Sequence, residues 1–289
     1  MPKTEKMIVV KLAGGIGNQM FQYAFGRYLS VTFGFPLFLD ISLYKFNLSN
    51  RTFDLNIFRL HKDIMLTDQD GVASMSRGRA TFYLNEQSFH FNDLIERTIR
   101  ETAAAGKDAV YVIIGYWQSE RYFETITGAI RNEFRFAEKT GRKFQQLNKR
   151  ISGENAVMVN VRRGDYLEHL DYHGVVSPEY IQRAMALIMQ KTDSPHFFIF
   201  SDDIPWCREH IMFYDNITLV DEKYYDAQFR GYLELMTNCR HFIIANSTFS
   251  WWSAWLAPNK EKIVIAPEKW FEAPGADTKD LLQEEWIRL

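Results

Sequence analysis

The feature that most constrains the fold is a regular alternation in the second half of the chain. After residue 155, short apolar runs typical of buried strands alternate with segments that have helical spacing. The runs are AVMVNV (156–161), HFFIF (196–200), ITLV (217–220), HFIIA (241–245) and KIVIA (262–266). Strands that alternate with helices predict an α/β domain with a doubly wound parallel sheet, and ligands of such sheets bind at the carboxyl ends of the strands.

The N-terminal half begins with the same kind of unit. MIVVKLA (7–13) predicts a strand, residues 19–33 a helix and FPLFLD (35–40) a second strand. AVYVIIGYW (109–117) predicts another buried strand, followed by a helix from Ser119, its cap, to Phe134. Residues 41–105 show no clear period. The polar, basic segment 138–155, part of which is a candidate helix, is the best boundary, which predicts domains at 1–150 and 151–289.

Composition excludes several classes of protein. The 289 residues carry 34 basic and 36 acidic side chains, a net charge of −2, so no general field would attract nucleic acid. The two cysteines, Cys207 and Cys239, form no zinc or disulfide spacing. His169 and His173 are four residues apart, but Leu170 stands where a zinc protease has glutamate, so no metal site is predicted. Without a signal-peptide pattern or a long apolar run, a cytoplasmic protein is expected.

The GGIGNQ loop between the first strand and the first helix is rich in glycine. Gly14, Gly15 and Gly17 would let backbone N–H groups and a helix N-terminus approach a phosphate. The dinucleotide fingerprint fails because position 20 is methionine, and the Walker A spacing fails as well. The alternative is a tight turn with Asn18 as the helix cap.

Two adjacent arginines, Arg162 and Arg163, follow the strand 156–161 in the stretch NVRRGDYL. Their position at a strand end predicts an anion site, since a guanidinium can bind two phosphate oxygens at once. Two or three such charge-assisted bonds would stabilise a departing diphosphate without a metal ion. The alternative is a surface salt bridge with Asp165.

The stretch FSDD also places polar groups at a strand end, Asp202 and Asp203. One carboxylate there can accept hydrogen bonds from both N1–H and the exocyclic amine of guanine. Two alternatives remain open: an aspartate pair that binds a metal ion, and capping of the next helix by Asp203.

The third polar strand end is NSTFSWW (246–252). Ser247 and Thr248 stand at the start of a predicted helix. Their hydroxyl and backbone N–H groups would form a cup, that is, a set of hydrogen-bond donors around an anion. Trp251 and Trp255 share one helical face, which indicates core packing over a sugar platform.

A further candidate lies at the end of the strand 109–117, in GYWQSERYF. Tyr116 or Trp117 could stack on a sugar ring, although core packing is the more ordinary role of such aromatic side chains.

With these motifs laid out, the chain resembles the bacterial α-1,2-fucosyltransferases of glycosyltransferase family 11. GGIGNQMFQYA, GYWQSERYF, RRGDYL, FSDD and NSTFSWWSAWL match stretches of that family in the same order, and together they span residues 14–256. The resemblance implies a GT-B type fold, with two Rossmann-like doubly wound domains facing a cleft. It also implies GDP-L-fucose as the donor bound by the second domain, no cofactor or obligate metal, and inversion at the fucose anomeric carbon.

The acceptor implied by the resemblance is the 2-hydroxyl of a β-linked galactose in an oligosaccharide or a surface polysaccharide precursor, bound on the side of the first domain. Loose association with the inner membrane face, through a lipid-linked acceptor, is a further expectation. In related fucosyltransferases with an H-x-R-R motif, the arginines hold the diphosphate and the aspartates recognise guanine. Carried over to this chain, the resemblance implies that Arg162, Arg163, Asp202, Asp203, Ser247 and Thr248 bind the donor and that Asn18 lies near the reaction centre. With the residues beside these motifs, the predicted donor-binding residues are Gly15, Gln19, Asn160, Arg162, Arg163, Asp202, Asp203, Ser247 and Thr248, and the predicted catalytic residues are Asn18, Arg162 and Asp165.

The chain departs from the family pattern at Asn160, where the family usually has histidine two residues before the first arginine. Asparagine still donates and accepts hydrogen bonds, so donor binding is expected to survive with altered strength. Asp165 is the first candidate for the general base, or else it orients the arginines. Glu168, Asp171 and His173 follow in the same loop and stay candidates.

Other functions remain as alternatives. A non-catalytic nucleotide-sugar or glycan-binding protein would bind GDP and transfer nothing. A dinucleotide oxidoreductase is disfavoured by the failed fingerprint, and a fucosyl transfer with different regiochemistry is a third possibility. The sequence does not specify the oligomeric state.

Overall fold

The structure, a computed structural model, describes residues 5–46, 48, 50–137, 141–168, 171, 174–221, 229–273 and 278–289; the side chains of residues 165, 168, 229 and 230 are outside this description. The chain forms two compact units. The first consists of Met1–Ala137 with Asp277–Leu281, and the second of Glu138–Ala276 with Leu282–Leu289.

The first unit is built on a sheet in which every described pair of strands is parallel. Its strands are β1 Lys6–Lys11, β2 Leu37–Asp40, β3 Met65–Thr67, β4 Ala80–Asn85 and β5 Ala109–Ile114. Their order across the sheet is β3–β2–β1–β5–β4. The most apolar strands, β1 and β5, therefore lie side by side in the middle, as expected for strands that are buried on both faces.

The helices of the first unit are α1 Ile16–Phe33, α2 Ser42–Lys45, α3 Gln69–Ser76, α4 Leu94–Ala104 and α5 Thr127–Glu133. The predicted βαβ start is confirmed, with α1 beginning three residues earlier than expected. The single helix predicted for residues 119–134 is wrong. Two 3₁₀ turns, Glu120–Tyr122 and Glu124–Ile126, precede α5. Phe123 breaks the helix because its φ of −141° is not helical, and its ring is buried against Phe21.

The second unit has the predicted doubly wound sheet, again with parallel pairing. Its strands are β6 Asn155–Val161, β7 Pro195–Ser201, β8 Ile217–Leu219, β9 His241–Ile243, β10 Val264–Ala266 and β11 Ile287–Arg288. Their order is β11–β10–β9–β6–β7–β8. Its helices are α6 Arg142–Gly153, α7 Pro178–Lys191, α8 Ile204–His210, α9 Phe229–Thr237 and α10 Thr248–Leu256. Within the described residues, no helix has both the length and the apolar character that crossing a membrane requires.

The division between the units falls after residue 137, ahead of the boundary predicted after residue 150. The intervening segment holds α6, within the polar, basic stretch that the sequence indicates as the boundary. Its three apolar side chains, Phe144, Leu147 and Ile151, recur at helical spacing and are all buried. Because that face packs against β6 and α9, α6 belongs to the second unit.

The tryptophans of α10 are core residues, as the sequence indicates. Trp251, Trp252 and Trp255 are at most 1% exposed. Trp251 also packs against Trp286, with ring centroids 5.7 Å apart, so the C-terminal strand is fastened to α10. These rings contribute packing, and α10 is thereby held rigidly at the end of β9.

A buried histidine in β9 is expected to make the second unit less stable in acid. Burial, with Arg240 beside it, lowers the pKa of His241, and its Nδ1 accepts a hydrogen bond of 3.0 Å from the Ile263 N–H. The imidazole of the unfolded chain has a pKa of about 6.5, so acidification below that pH protonates the unfolded chain first. We expect thermal stability to fall between pH 7 and 5, and to fall less in His241→Asn, which keeps an acceptor and does not titrate. Equal pH dependence in both proteins would contradict this.

Candidate active site

The candidate site of the second unit lies where the sheet reverses its winding. Strand β6 stands between β7 and β9, and ligands of open α/β sheets bind at the carboxyl ends around such a point. Arg162 and Arg163 follow β6, Asp202 and Asp203 follow β7, and Ser247 follows β9. The parallel pairing brings these three polar strand ends to one edge of the sheet.

Arg162 is paired with an aspartate of the neighbouring strand. Its Nη1 lies 2.6 Å from Asp202 Oδ2, and its guanidinium carbon lies 5.5 Å from the centre of the Tyr166 ring. The Tyr166 hydroxyl donates a hydrogen bond of 3.2 Å to the Asn246 carbonyl. Tyr166 thus supports the first arginine and joins the loop after β6 to the loop after β9.

Arg163 is held from three sides. Its Nε lies 3.2 Å from Asp203 Oδ2, and its guanidinium carbon lies 4.0 Å from the centre of the Trp206 ring. Its backbone N–H donates to Asp202 Oδ1 at 2.9 Å. A planar guanidinium stacked on indole loses little freedom when it binds an anion, because its orientation is already set.

The structure therefore pairs both arginines with the aspartates that follow β7. The alternative of a salt bridge to Asp165 concerns a side chain outside the described residues. A guanidinium has five N–H donors, so one arginine can contact a carboxylate and an anionic ligand at the same time. The paired aspartates fix the direction of each guanidinium, which is the preorganisation that binding a diphosphate requires.

Asp203 has the capping role that the sequence left as one of three alternatives. Its Oδ1 accepts a hydrogen bond of 3.1 Å from Trp206 N at the start of α8, and its own N–H donates to Ser201 Oγ at 2.9 Å. Recognition of guanine by Asp202 or Asp203 stays a prediction. No cluster of three or more metal-ligating side chains occurs in the part of the chain that the structure describes.

Asn160, the residue that departs from the family pattern, is buried at the end of β6. It is 6% exposed, and its Nδ2 donates a hydrogen bond of 3.1 Å to the Phe200 carbonyl of β7. The side chain therefore helps to hold together the two strands that carry the arginines and the aspartates. Its predicted contact with the donor stays a prediction.

Helix α10 begins at this edge with Ser247 in the N-cap position. Ser247 has an extended backbone and is 6% exposed, and its side chain makes no capping hydrogen bond within the described residues. The hydroxyl and the N–H groups of the first turn, which starts at Thr248, are what an anion would meet there. The predicted cup is present as a helix N-terminus, and its ligand stays a prediction.

The glycine-rich loop of the first unit opens α1 in a tight turn. Gly14 has a φ of +76°, a left-handed backbone conformation that favours glycine, and a Cβ on it would lie 2.5 Å from Asn18 Nδ2. Gly15 is the N-cap, and its carbonyl accepts from Asn18 N at 3.0 Å and from Gln19 N at 3.1 Å. The alternative in which Asn18 caps the helix is wrong, because Asn18 already lies within the first turn.

Gln19 is fully buried and binds backbone on both sides. Its Nε2 donates to the Gly14 carbonyl at 3.1 Å and to the Thr52 carbonyl at 2.8 Å, and its Oε1 accepts from Asp54 N at 2.9 Å. The side chain thus anchors the segment around residues 52–54 to the glycine-rich loop. A role in binding the donor stays a prediction for Gln19 and for Gly15.

Asn18 is joined to the turn after β5. Gln118 Nε2 donates a hydrogen bond of 3.0 Å to Asn18 Oδ1.

The two aromatic candidates of the turn after β5 differ in exposure. Trp117 is 1% exposed and packs on Phe25, whereas Tyr116 is 40% exposed. Only Tyr116 therefore has a ring face available to a sugar.

Most of the candidate bases in the loop after Arg163 lie outside the described part of the chain. Residues 165–168 form a 3₁₀ turn, but the side chains of Asp165 and Glu168, and all of His169 and His173, lie outside the described residues. Asp171 is described and exposed. The base stays a prediction.

Sequence reasoning missed three residues that shape these sites. Tyr166, next to Arg162, lies within the RRGDYL motif, and Trp206, next to Arg163, lies in α8 three residues after FSDD. An aromatic residue in or close to each motif was the signal from which sequence reasoning could have found them. Glu86, which holds the turn after β5 through two hydrogen bonds, had no such signal because its partners are thirty residues away.

Comparison with known proteins agrees with this architecture. The sequence model of Glycosyl transferase family 11 matches residues 1–289. An α-1,2-colitosyltransferase of Escherichia coli is 32% identical over 297 residues, 98% of this chain and 99% of that protein. Galactoside α-(1,2)-fucosyltransferase 1 of Bos taurus is 27% identical over 84% of this chain and 64% of its own length.

Among solved structures, NodZ α-1,6-fucosyltransferase soaked with GDP-fucose matches with a TM-score of 0.53 and 14% identity, over 88% of this chain and 94% of NodZ. At that identity the likeness concerns the fold, and it confirms the predicted α/β GT-B type with two Rossmann-like units. Together with the motifs at the strand ends, the match of the whole sequence shows that the chain belongs to glycosyl transferase family 11.

Proposed function

We propose that this glycosyltransferase moves L-fucose from GDP-L-fucose to the 2-hydroxyl of a β-galactoside, with inversion, in an oligosaccharide or a surface polysaccharide precursor. The observation that carries the proposal is the pair of oriented arginines at the carboxyl end of β6. Each guanidinium is fixed by an aspartate and an aromatic ring. One relative is named an α-1,2-colitosyltransferase and another a galactoside α-(1,2)-fucosyltransferase. Both names support the α-1,2 linkage, and the second supports a galactoside as the acceptor.

The second unit would bind the donor. Arg162 and Arg163 would neutralise the charge that develops on the departing GDP, and the N-terminus of α10 at Ser247 would add backbone donors. These groups replace the divalent ion that other transferases use, so the reaction is proposed to need no metal. Asp202 and Asp203 would accept from guanine at their outer lone pairs while they keep the arginines in place.

The acceptor hydroxyl must lose its proton as the glycosidic bond forms. Asp165 is proposed as the base, with Glu168, Asp171 and His173 as alternatives in the same loop. Asp165→Asn with GDP affinity retained and turnover lost would support the base; loss of both would support a role in orienting the arginines. If both are unchanged, Asp165 has neither role.

The donor sugar has a second candidate. The 32% identical relative is named for transfer of colitose, which is fucose without its 3-hydroxyl. A site that hydrogen-bonds the 3-hydroxyl would reject colitose strongly, because a buried partner would be left unpaired. Competition between GDP-fucose and GDP-colitose in one reaction gives the ratio of kcat/KM and decides between them.

The decisive test of function is a transfer assay. Incubation with GDP-fucose and a galactose-terminated oligosaccharide should release GDP and give a product heavier by one deoxyhexose, with the linkage assigned by NMR. Added EDTA should leave the rate unchanged. Binding of GDP without any product would support the non-catalytic alternative, and a linkage to another hydroxyl would support different regiochemistry. Contact with a membrane through a lipid-linked acceptor stays a prediction.

A further inference from the structure

The turn that follows β5 in the first unit is held in a strained conformation. Trp117 has a φ of +56°, which is rare for a residue with a bulky side chain. Gly115, with a φ of +157°, cannot be replaced, because a Cβ there would lie 2.4 Å from Glu86 Cβ. Backbone strain of this kind persists only where surrounding contacts enforce it, and it concentrates at functional sites.

Two side chains enforce the conformation. The Glu86 carboxylate accepts from Tyr116 N at 2.7 Å and from Trp117 N at 3.0 Å. Gln22 Nε2 donates to the Gly115 carbonyl at 2.9 Å, while its Oε1 accepts from Ala13 N at 3.0 Å. The turn is thus fastened to the start of the glycine-rich loop. Burial raises the pKa of Glu86, which means that keeping this carboxylate ionised beside the turn costs free energy. A turn that only connects two elements would not require that cost.

The turn presents groups suited to a sugar. Tyr116 is 40% exposed although its backbone is fixed. Gln118 donates to Asn18, but its Oε1 is buried and accepts no hydrogen bond from the residues that the structure describes. Trp117 is 1% exposed and packs on Phe25, so its ring serves the core of the first unit. The unmet acceptor of Gln118, which is two residues from the exposed Tyr116, suits a hydroxyl group that donates to it.

We propose that the turn Tyr116–Gln118 is the sugar-binding subsite of the first unit and that it takes the terminal galactose of the acceptor. The Tyr116 ring covers the apolar face formed by the C3, C4 and C5 hydrogens of galactose. Gln118, which is hydrogen-bonded to Asn18, binds the hydroxyl groups of the galactose. Glu86 is a positioning residue, which acts through the backbone of Tyr116 and Trp117. The inference rests on the proposed function and names the part of the chain that selects the acceptor.

The test separates acceptor binding from donor binding. In Tyr116→Ala and Gln118→Ala, KM for the galactoside is expected to rise by about tenfold or more, while Kd for GDP changes by less than about twofold. Tyr116→Phe keeps the ring and should retain the wild-type KM. Tyr83→Ala, at a tyrosine of β4 that is 62% exposed, is the matched control. If KM is unchanged in the two alanine variants and GDP binds normally, the proposed sugar subsite is overturned while the proposed function stands. If the wild-type protein binds no GDP, the proposed function itself is overturned.

Two further measurements do not depend on the alanine variants. Saturation-transfer NMR of methyl β-galactoside with wild type and GDP should show the strongest transfer at H3, H4 and H5; strongest transfer elsewhere on the ring would contradict stacking. In Glu86→Gln, one amide oxygen replaces two carboxylate acceptors, so KM for the acceptor should rise about tenfold while Kd for GDP stays within about twofold. A fall in the melting temperature without that rise in KM would make Glu86 a structural residue only.

Discussion

Arg162→Ala and Arg163→Ala are each expected to lower kcat/KM for glycosyl transfer by about 10²–10³-fold, or about 2.7–4 kcal/mol of transition-state stabilisation. The leaving diphosphate gains charge as the sugar departs, and these two guanidinium groups are the described cations fixed at the switch point of the second sheet. Most of the loss should appear in kcat, since the interaction strengthens as the bond breaks.

Lysine variants distinguish charge from geometry. Arg162→Lys keeps the charge beside Asp202 but loses the planar fork, and a loss of about tenfold is expected. Arg163→Lys should lose more, because it also gives up the stack on Trp206, where the guanidinium carbon is 4.0 Å from the ring centre. Trp206→Ala should reproduce part of the additional loss in Arg163→Lys.

The control is Arg208→Ala, an exposed arginine in the last turn of α8 of the same unit. It should transfer sugar at the wild-type rate. Steady-state kinetics with varied GDP-fucose, together with calorimetric titration of GDP, separates turnover from donor affinity. Either arginine could be dismissed as the diphosphate site if its alanine variant kept kcat/KM within about threefold of wild type with normal GDP affinity.

Much of the second unit could be predicted from the sequence because its central strands are buried on both faces. Such strands are continuous apolar runs, and the polar residues that end them mark the carboxyl edge of the sheet. The contacts of Arg162 with Asp202 and of Arg163 with Asp203 could not be predicted in this way. They require that β6 and β7 are neighbours and that Asn160 lies opposite Phe200. Neither the pairing of the two strands nor its register can be deduced from the sequence alone.

The first unit was harder to predict for a physical reason. Strands β3 and β4 are the edges of its sheet, and most of their residues are exposed or half-buried, so no apolar run marks them. Glu86 follows β4, and its bonds to Tyr116 and Trp117 exist only because β4 pairs with β5, with Asn85 opposite Ile114. A residue whose role is set by a long-range pairing has no local signature.

Glu133→Ala is expected to lower the free energy of unfolding of the first unit by about 3–5 kcal/mol, because it leaves a largely buried cation without its counter-charge. Glu133 is 5% exposed and accepts from Tyr23 Oη at 2.6 Å and from Arg27 Nε at 3.0 Å. Burial, reinforced by the adjacent Glu133 carboxylate, raises the pKa of Tyr23, so its hydroxyl stays a donor and α1 is tied to α5. Glu133→Gln should cost less, since it keeps one acceptor.

The measurement must resolve one unit from the other, because a single transition need not describe both. Hydrogen exchange followed by mass spectrometry should show faster exchange in peptides of α1 and α5 and unchanged exchange in β6 and α7. Arg97→Ala breaks an arginine–carboxylate pair in the same unit whose side chains are both 61% exposed, and it should cost less than about 1 kcal/mol. If Glu133→Ala costs no more than Arg97→Ala, the buried cluster of Tyr23, Arg27 and Glu133 does not stabilise the first unit.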